Sequence, residues 1–401
     1  MRRTVSQSRQ QPRTPLQRDG LTWLCYGMIA VFAFLQASLA AMLPWLRDEL
    51  QMSYTLAGLH LSALAFGGLL SSSFVSGLLE QRLSRPWILW GGTLTMLVSG
   101  VVLVTSPHSS GTLLSAMMIG MAGTTTLIAV QALLSERYGS RRATVLVEAN
   151  TVASVAMSMV PLGLGALVLM GGNWRMVQVL PVLIVLGLVL VYRQQNIPVQ
   201  EHSSTTTGAG RLPGAFWQYF LMITMGVAVE WCILGWTGTM LEEAGGMSRE
   251  VAAQALSVLL VAAVFGRLAT SRLSQMYSVP TLLLGAVAST TLGVALIWAL
   301  PTGMASWVGV ALAGAGVAQF FPLGVAGALG TVPERASLAS ARTTLAGSVA
   351  VLVVPSSLGW VADQVGIYLA YSGIFVLLLL LTVLIVWAQW QSRAAAQPAG
   401  V

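Results

Sequence analysis

The chain is a succession of apolar runs, each about as long as the twenty helical residues that cross a hydrocarbon core. Breaks of glycine, proline and charge separate the runs. They place spans at 22–46, 55–79, 86–105, 111–135, 143–170, 175–192, 215–241, 250–273, 279–300, 305–329, 337–361 and 366–390. Only 8% of the 401 residues are charged, whereas a soluble chain carries about a quarter. The mean hydropathy is +0.78. These runs predict an all-α membrane protein of twelve transmembrane helices.

The longest polar stretch inside the chain contains "EHSSTTTGAGR" and reads as a flexible linker. The expected organisation is a tail at 1–20, a six-helix bundle at 21–192, a linker at 193–214, a second bundle at 215–391 and a tail at 392–401. All twenty basic residues are arginine, and with the N-terminus inside, seventeen face the cytoplasm. Arg47, Arg175 and Arg249 face outward. That asymmetry predicts cytoplasmic termini. The first apolar run is too long for a signal h-region, so it reads as an uncleaved span. The expected setting is the bacterial cytoplasmic (inner) membrane.

The halves echo each other, as transporter halves built from repeats do. Gln36 is followed after twelve and thirteen residues by Asp48 and Glu49, and Glu230 at the same intervals by Glu242 and Glu243. The turns "GLLEQRLS" and "GRLATSRLS" follow the second span of each half. Gln36 and Glu230 thereby become equivalent positions.

Twelve spans split six and six, with basic turns after spans two and eight, resemble the major facilitator superfamily over nearly the whole chain. In the signature Gly-x-x-x-Asp-Arg-x-Gly-Arg, Gly77, Arg82 and Arg85 match, while Gln81 and Ser84 replace the Asp and the second Gly. Glu80 stands beside the missing acid. The second half resembles the fucose–proton symporter-like group through Gly226, Glu230, Trp236, Gly266-Arg267-Leu268 and "GAGVAQFFP" ending at Pro322. The acids that fucose symporters carry in spans one and four are absent, so sugar specificity of that type is not implied. "VPLGLG" in span five partly matches the glycine–proline pattern of drug antiporters, or serves helix packing. The resemblance implies a central cavity lined by spans one, four, seven and ten.

Glu230 lies about 21 Å along its helix, near the bilayer midplane. An ionised side chain there costs at least a few kcal/mol and usually faces a cavity. It reads as a proton-coupling or substrate-facing carboxylate, or as a protonated acid that fixes packing. Gln36, Thr125, Gln131 and Gln319 are the polar candidates on the other cavity spans, able to bind a solute without burying a charge. The same side chains could instead hydrogen-bond between helices. Trp236 reads as a cavity-bordering aromatic or as an interfacial or interhelical one, and Trp231 as the latter. Glu148, with Asn150 nearby, is expected to pair with Arg137, Arg141 or Arg142 at an inner gate, or to be a second titrating site. Arg82 and Arg85 belong to the basic turn, Arg267 is expected to cap span eight, and Arg342 to anchor a loop. His60 reads as a polar rim residue.

Other classes lack their chemistry. There is no HExxH, no paired catalytic aspartates and only three scattered histidines, which argues against an enzyme. No glycine-rich phosphate loop suggests a primary pump. Cys25 and Cys232 sit in apolar runs as small core residues, without metal-ligand spacing. No basic patch interleaved with aromatics points to nucleic acid. The expected function is a secondary active transporter of a small solute, proton-coupled, working by alternating access. It would be a monomer in the bilayer with no cofactor beyond the proton gradient. An efflux antiporter for drugs or metabolites, or a transporter-fold sensor or accessory protein, is the alternative.

Overall fold

A computed structural model describes residues 17–75, 78–79, 82–139, 142–198, 212–332 and 336–396. The signature residues Gly77, Glu80 and Gln81, together with Arg141 and most of the linker, lie outside them. Among the described residues, twelve helices are long and apolar enough to cross a membrane. They are α1 (Gly20–Glu49), α2 (Tyr54–Phe74), α3 (Arg85–Thr105), α4 (Ser109–Tyr138), α5 (Thr144–Leu169) and α6 (Trp174–Tyr192). After the linker come α7 (Gly214–Glu243), α8 (Arg249–Leu273), α9 (Val279–Ala299), α10 (Gly303–Gly330), α11 (Arg342–Val365) and α12 (Ile367–Gln391). Each predicted span coincides with one of these to within a few residues.

Local chemistry sets several boundaries. Asp19 caps α1, accepting from the Thr22 amide at 3.1 Å, and Ser53 caps α2 through the Leu56 amide. Pro86 and Pro280 stand in the first turns of α3 and α9, where the missing N–H has no helical partner to lose. Pro322 breaks α10 into Gly303–Val317 and Phe320–Gly330, because its ring excludes the hydrogen bond to the Ala318 carbonyl. A π-helical turn at Ser71–Val75 closes α2.

Helices α1, α4, α7 and α10 are the most deeply buried. Within the first six, α4 packs on α1, α2 and α3, and α5 packs on α1. Within the last six, α10 packs on α7, α8 and α9, and α12 packs on α7 and α9. The two sets meet along α2–α11, α5–α8 and α1–α7. Outer helices present apolar side chains outward, such as Leu183 and Leu190 on α6 and Leu379, Val383 and Val386 on α12. In water such a surface would be a large aggregation site; in a bilayer it is the solvated face.

The repeat is visible in packing. A Cβ on Gly120 of α4 would lie 1.9 Å from the Leu64 carbonyl of α2. A Cβ on Gly314 of α10 would lie 2.2 Å from the Leu259 carbonyl of α8. Gly314 stands as far along the chain from Gly120 as Glu230 does from Gln36. Both crossings depend on a missing side chain, because small residues let helix backbones meet in membranes.

Candidate functional site

A cavity of about 410 Å³ lies where α1, α2, α4, α7, α8, α10 and α11 converge. Gln36 on α1, Ser72 on α2, Thr124 on α4, and Thr344 and Ser348 on α11 supply its polar groups. Phe32, Trp231 and Phe321 supply aromatic walls. Glu230 on α7 and Arg267 on α8 supply the charges. A side pocket of about 50 Å³ opens from the same two residues toward Ser154 and Ser158 of α5. Glu230 and Gln36 therefore share one cavity, as repeat-related positions on the first helix of each half.

Several sequence expectations need correction. Trp236 is not in the cavity wall. It is 1% exposed, packs on the ring of Tyr54, and donates from Nε1 to the Pro355 carbonyl at 3.2 Å. It fastens α7 to α2 and α11, while Trp231, next to Glu230, faces the cavity. Gln319 is buried at the α8–α10 crossing, with Nε2 donating to the Ala315 carbonyl at 3.1 Å and lying close over Gly266. The break above Pro322 turns it away from the cavity. Thr125 bonds Ser71 at 2.7 Å in the α2–α4 seam, leaving Thr124 to face the cavity and Thr126 to pack on Gly92 of α3. Steps of 100° per residue explain why three adjacent threonines meet three surroundings. Gln131, seven residues beyond Thr124 and on the same helix face, is exposed nearer the C-terminal end of α4.

Arg267 does not cap α8. The helix runs six residues further to Leu273, so its guanidinium reaches the cavity beside Glu230. Glu148 pairs with Arg18 at 2.5 Å and accepts from Tyr26 at 2.8 Å, and among the described residues it pairs with neither Arg137 nor Arg142, Arg141 lying outside them. Arg137 is taken by Asp19, and Arg142 is exposed. Asn150, Arg82 and Arg342 are exposed. Arg85 is buried and makes a two-pronged contact with Glu136, both bonds at 2.8 Å. These pairs are internal to the first half. Asp19, just outside α1, is held below the usual carboxylate range: burial opposes ionisation, but the Thr22 hydrogen bonds and the Arg137 charge outweigh it. His60 is no rim residue either. It is buried, its ring bonding the Leu56 carbonyl and Thr112, both at 2.8 Å.

Ion pairs and hydrogen bonds between the halves lie at the opposite face. Arg47 of α1 pairs with Glu243 of α7 at 2.7 Å, and its guanidinium lies 4.5 Å over the Tyr54 ring, whose hydroxyl also donates to Glu243. Arg249 of α8 pairs with Asp48 of α1 and with Glu242 at 2.5 Å. Asp363 of α11 accepts from the Tyr54 amide at 2.7 Å and the Thr55 amide at 2.8 Å. An acid from the second half thus caps the first turn of a helix in the first half, where the helix dipole favours negative charge. Arg175 pairs with Glu49 within the first half. The acid pairs Asp48-Glu49 and Glu242-Glu243 were visible as a repeat. Their joining of the two halves at one face was the missed meaning. The three arginines that the orientation count placed on that side were the available signal.

Comparison with known proteins bears on this architecture. The family model described as Major Facilitator Superfamily matches residues 23–336, well over half of the chain. The chain belongs to the major facilitator superfamily. This superfamily member is a membrane transporter and not an enzyme. It is similar to an uncharacterized MFS-type transporter of Yersinia pestis, 23% identical over 346 residues, covering 86% of this chain and 89% of that protein. Among solved structures it resembles a bacterial homolog of the human lysosomal transporter Spinster in an inward-facing, occupied conformation. That match has a TM-score of 0.73 and 15% identity, and covers 94% of this chain and 98% of the other. A variant of the nucleoside transporter NupG gives a TM-score of 0.77 at 12% identity, covering 92% of this chain and all of the other. A variant of the peptide transporter POT gives 0.71 at 12% identity, covering 92% and 94%. At these identities the likeness to the solved structures is one of fold. Among the described residues no group of three or more His, Cys, Asp or Glu could hold a metal ion.

Proposed function

We propose that this superfamily member is a proton-coupled secondary transporter of a small solute, acting as a monomer by alternating access through the cavity around Glu230. The termini face the cytoplasm of a bacterial inner membrane, and the structure is the inward-open state. The observation that carries this reading is the pairing of a polar cavity at mid-membrane with a face closed by ion pairs between the halves. Breaking Arg47–Glu243 and Arg249–Asp48 while closing the termini face would pass the cavity from one side to the other. The arginine count supports the orientation: Arg47, Arg175 and Arg249, the arginines on the proposed outer face, all sit in ion pairs. The inward-facing Spinster homolog supports the assignment of state by likeness of fold.

Glu230 is the coupling group in this proposal, since an acid at that depth can carry a proton between the two aqueous sides. The fucose–proton symporter-like resemblance supports the same placement through its packing pieces. A Cβ on Gly226 would lie 2.5 Å from the Phe320 Cβ, so the α7 and α10 pieces of that resemblance touch. Proteoliposome flux tests the reading. An imposed pH gradient is expected to drive solute accumulation in the parent protein. Glu230→Gln, present at normal levels, is expected to exchange solute but not accumulate it. Gradient-driven accumulation by that variant would remove Glu230 from the mechanism.

A further inference from the structure

Among the described residues, both charges that line the cavity belong to the second half, on neighbouring helices. Glu230 and Arg267 line the central cavity and its side pocket together. No ion pair joins them, and neither side chain is engaged by another described residue. Arg267 is exposed and lines the cavity. It presents a planar fork of donors matched to carboxylate, sulfonate or phosphate oxygens. The other walls do not compete for it. Among the described residues, helices α1, α2, α4, α5, α10 and α11 face the pair with amide, hydroxyl and apolar side chains only. Tyr371 of α12 is engaged with Thr237 at 2.8 Å.

We propose that the solute is a small organic anion whose acidic group is held by Arg267, and that it loads together with a proton on Glu230. This rests on the proton-coupled reading above and gives it a substrate class. With Glu230 ionised, the two charges cancel and an incoming anion meets repulsion from the carboxylate. With Glu230 protonated, the cavity carries one uncompensated positive charge. Proton and anion therefore raise each other's affinity, and the linkage is reciprocal. The proton is taken from water on one side and returned to water on the other, so a monoanion crosses with no net charge moved. Phe32, Trp231 and Phe321 provide apolar surface for the remainder of the solute.

One scaffold carrying different charges tests the proposal. Thermal stabilisation of the purified protein is measured with benzoate, benzenesulfonate, benzamide and benzylamine, and with hexanoate and succinate as aliphatic acids. Benzenesulfonate stays ionised throughout, which separates titration of the protein from titration of the probe. Stabilisation is expected from the acids and not from the amide or amine. Half-saturation should be lower at about pH 5.5 than at about pH 7.5, by at most tenfold per pH unit. Arg267→Gln is expected to abolish the response and Arg267→Lys to retain part of it. Glu230→Gln is expected to bind acids with the pH dependence removed, which also shows that a variant at this site still folds. No response to any acid, a response led by the amide or amine, or acid binding unchanged in Arg267→Gln overturns the proposal. If neutral solutes bind and are accumulated, transport stands and the anion assignment falls. If acids bind as expected but no gradient drives their flux, the transport reading falls instead.

Discussion

At the scale of single residues, rotation about a helix axis decides what each side chain does. Trp231 and Trp236 stand on the same helix, yet one lines the cavity and the other fastens α7 to α2 and α11. Trp236 was read as the cavity-bordering aromatic, because the sequence does not show which neighbour covers which face. Replacing Trp231 by Ala is therefore expected to weaken solute binding with little change in melting temperature. Trp236→Phe removes a hydrogen bond that, in membranes, contributes on the order of 1 kcal/mol. It is expected to lower thermal stability slightly and leave solute affinity in the inward-open state unchanged, as ligand-dependent melting curves would show. Glu230 and Gln36 were legible because an acid or amide at mid-span is rare. Arg267 was not: an arginine six residues from a helix end looks like a cap until the neighbouring helices are placed. Its approach to Glu230 comes from the α7–α8 pairing, which no local pattern encodes.

At the scale of elements, the twelve helices were readable because apolar length and turn chemistry are local properties. Their contacts were less so. Gly120 and Gly314 look like ordinary small residues until the α2 and α8 backbones lie against them. Gly120→Leu would drive a side chain into the Leu64 carbonyl, and overpacking of this kind costs about 1–3 kcal/mol or more. Lowered yield and melting temperature of the purified variant are expected; wild-type stability would show that α2 and α4 can separate freely. The start of α1 offers a pH test. The Asp19 carboxyl titrates below its ordinary value, so its contribution is present near neutrality and disappears as pH falls through the depressed value. Asp19→Ala is expected to cost about 1 kcal/mol near neutrality, as loss of a helix cap does. The difference from the parent should shrink in acid.

Across the whole molecule, the ion pairs between the halves explain why the charges cluster at the ends of the apolar runs. The pairs Arg47–Glu243 and Asp48–Arg249 join residues 196 and 201 apart in the chain, so composition and hydropathy could not pair them. Only the two-fold repeat hinted that the acid doublets share a role. In the proposed mechanism these pairs hold one face shut while the cavity meets water at the other, and their loss should shift the population toward the opposite state. Arg47→Glu is expected to slow transport, and adding Glu243→Arg to restore part of it. No recovery in the double variant would separate the pair from gating.

Side-specific labelling of the cavity addresses alternating access most directly. A single cysteine replaces Thr124 in a protein whose buried Cys25 and Cys232 are changed to serine, and an impermeant thiol reagent is applied from each side of oriented vesicles. With the ion pairs intact, labelling is expected from the termini side alone. With Arg47 and Arg249 both changed to Ala, labelling should appear from the opposite side as well. Unchanged one-sided labelling after both arginines are removed would contradict the account.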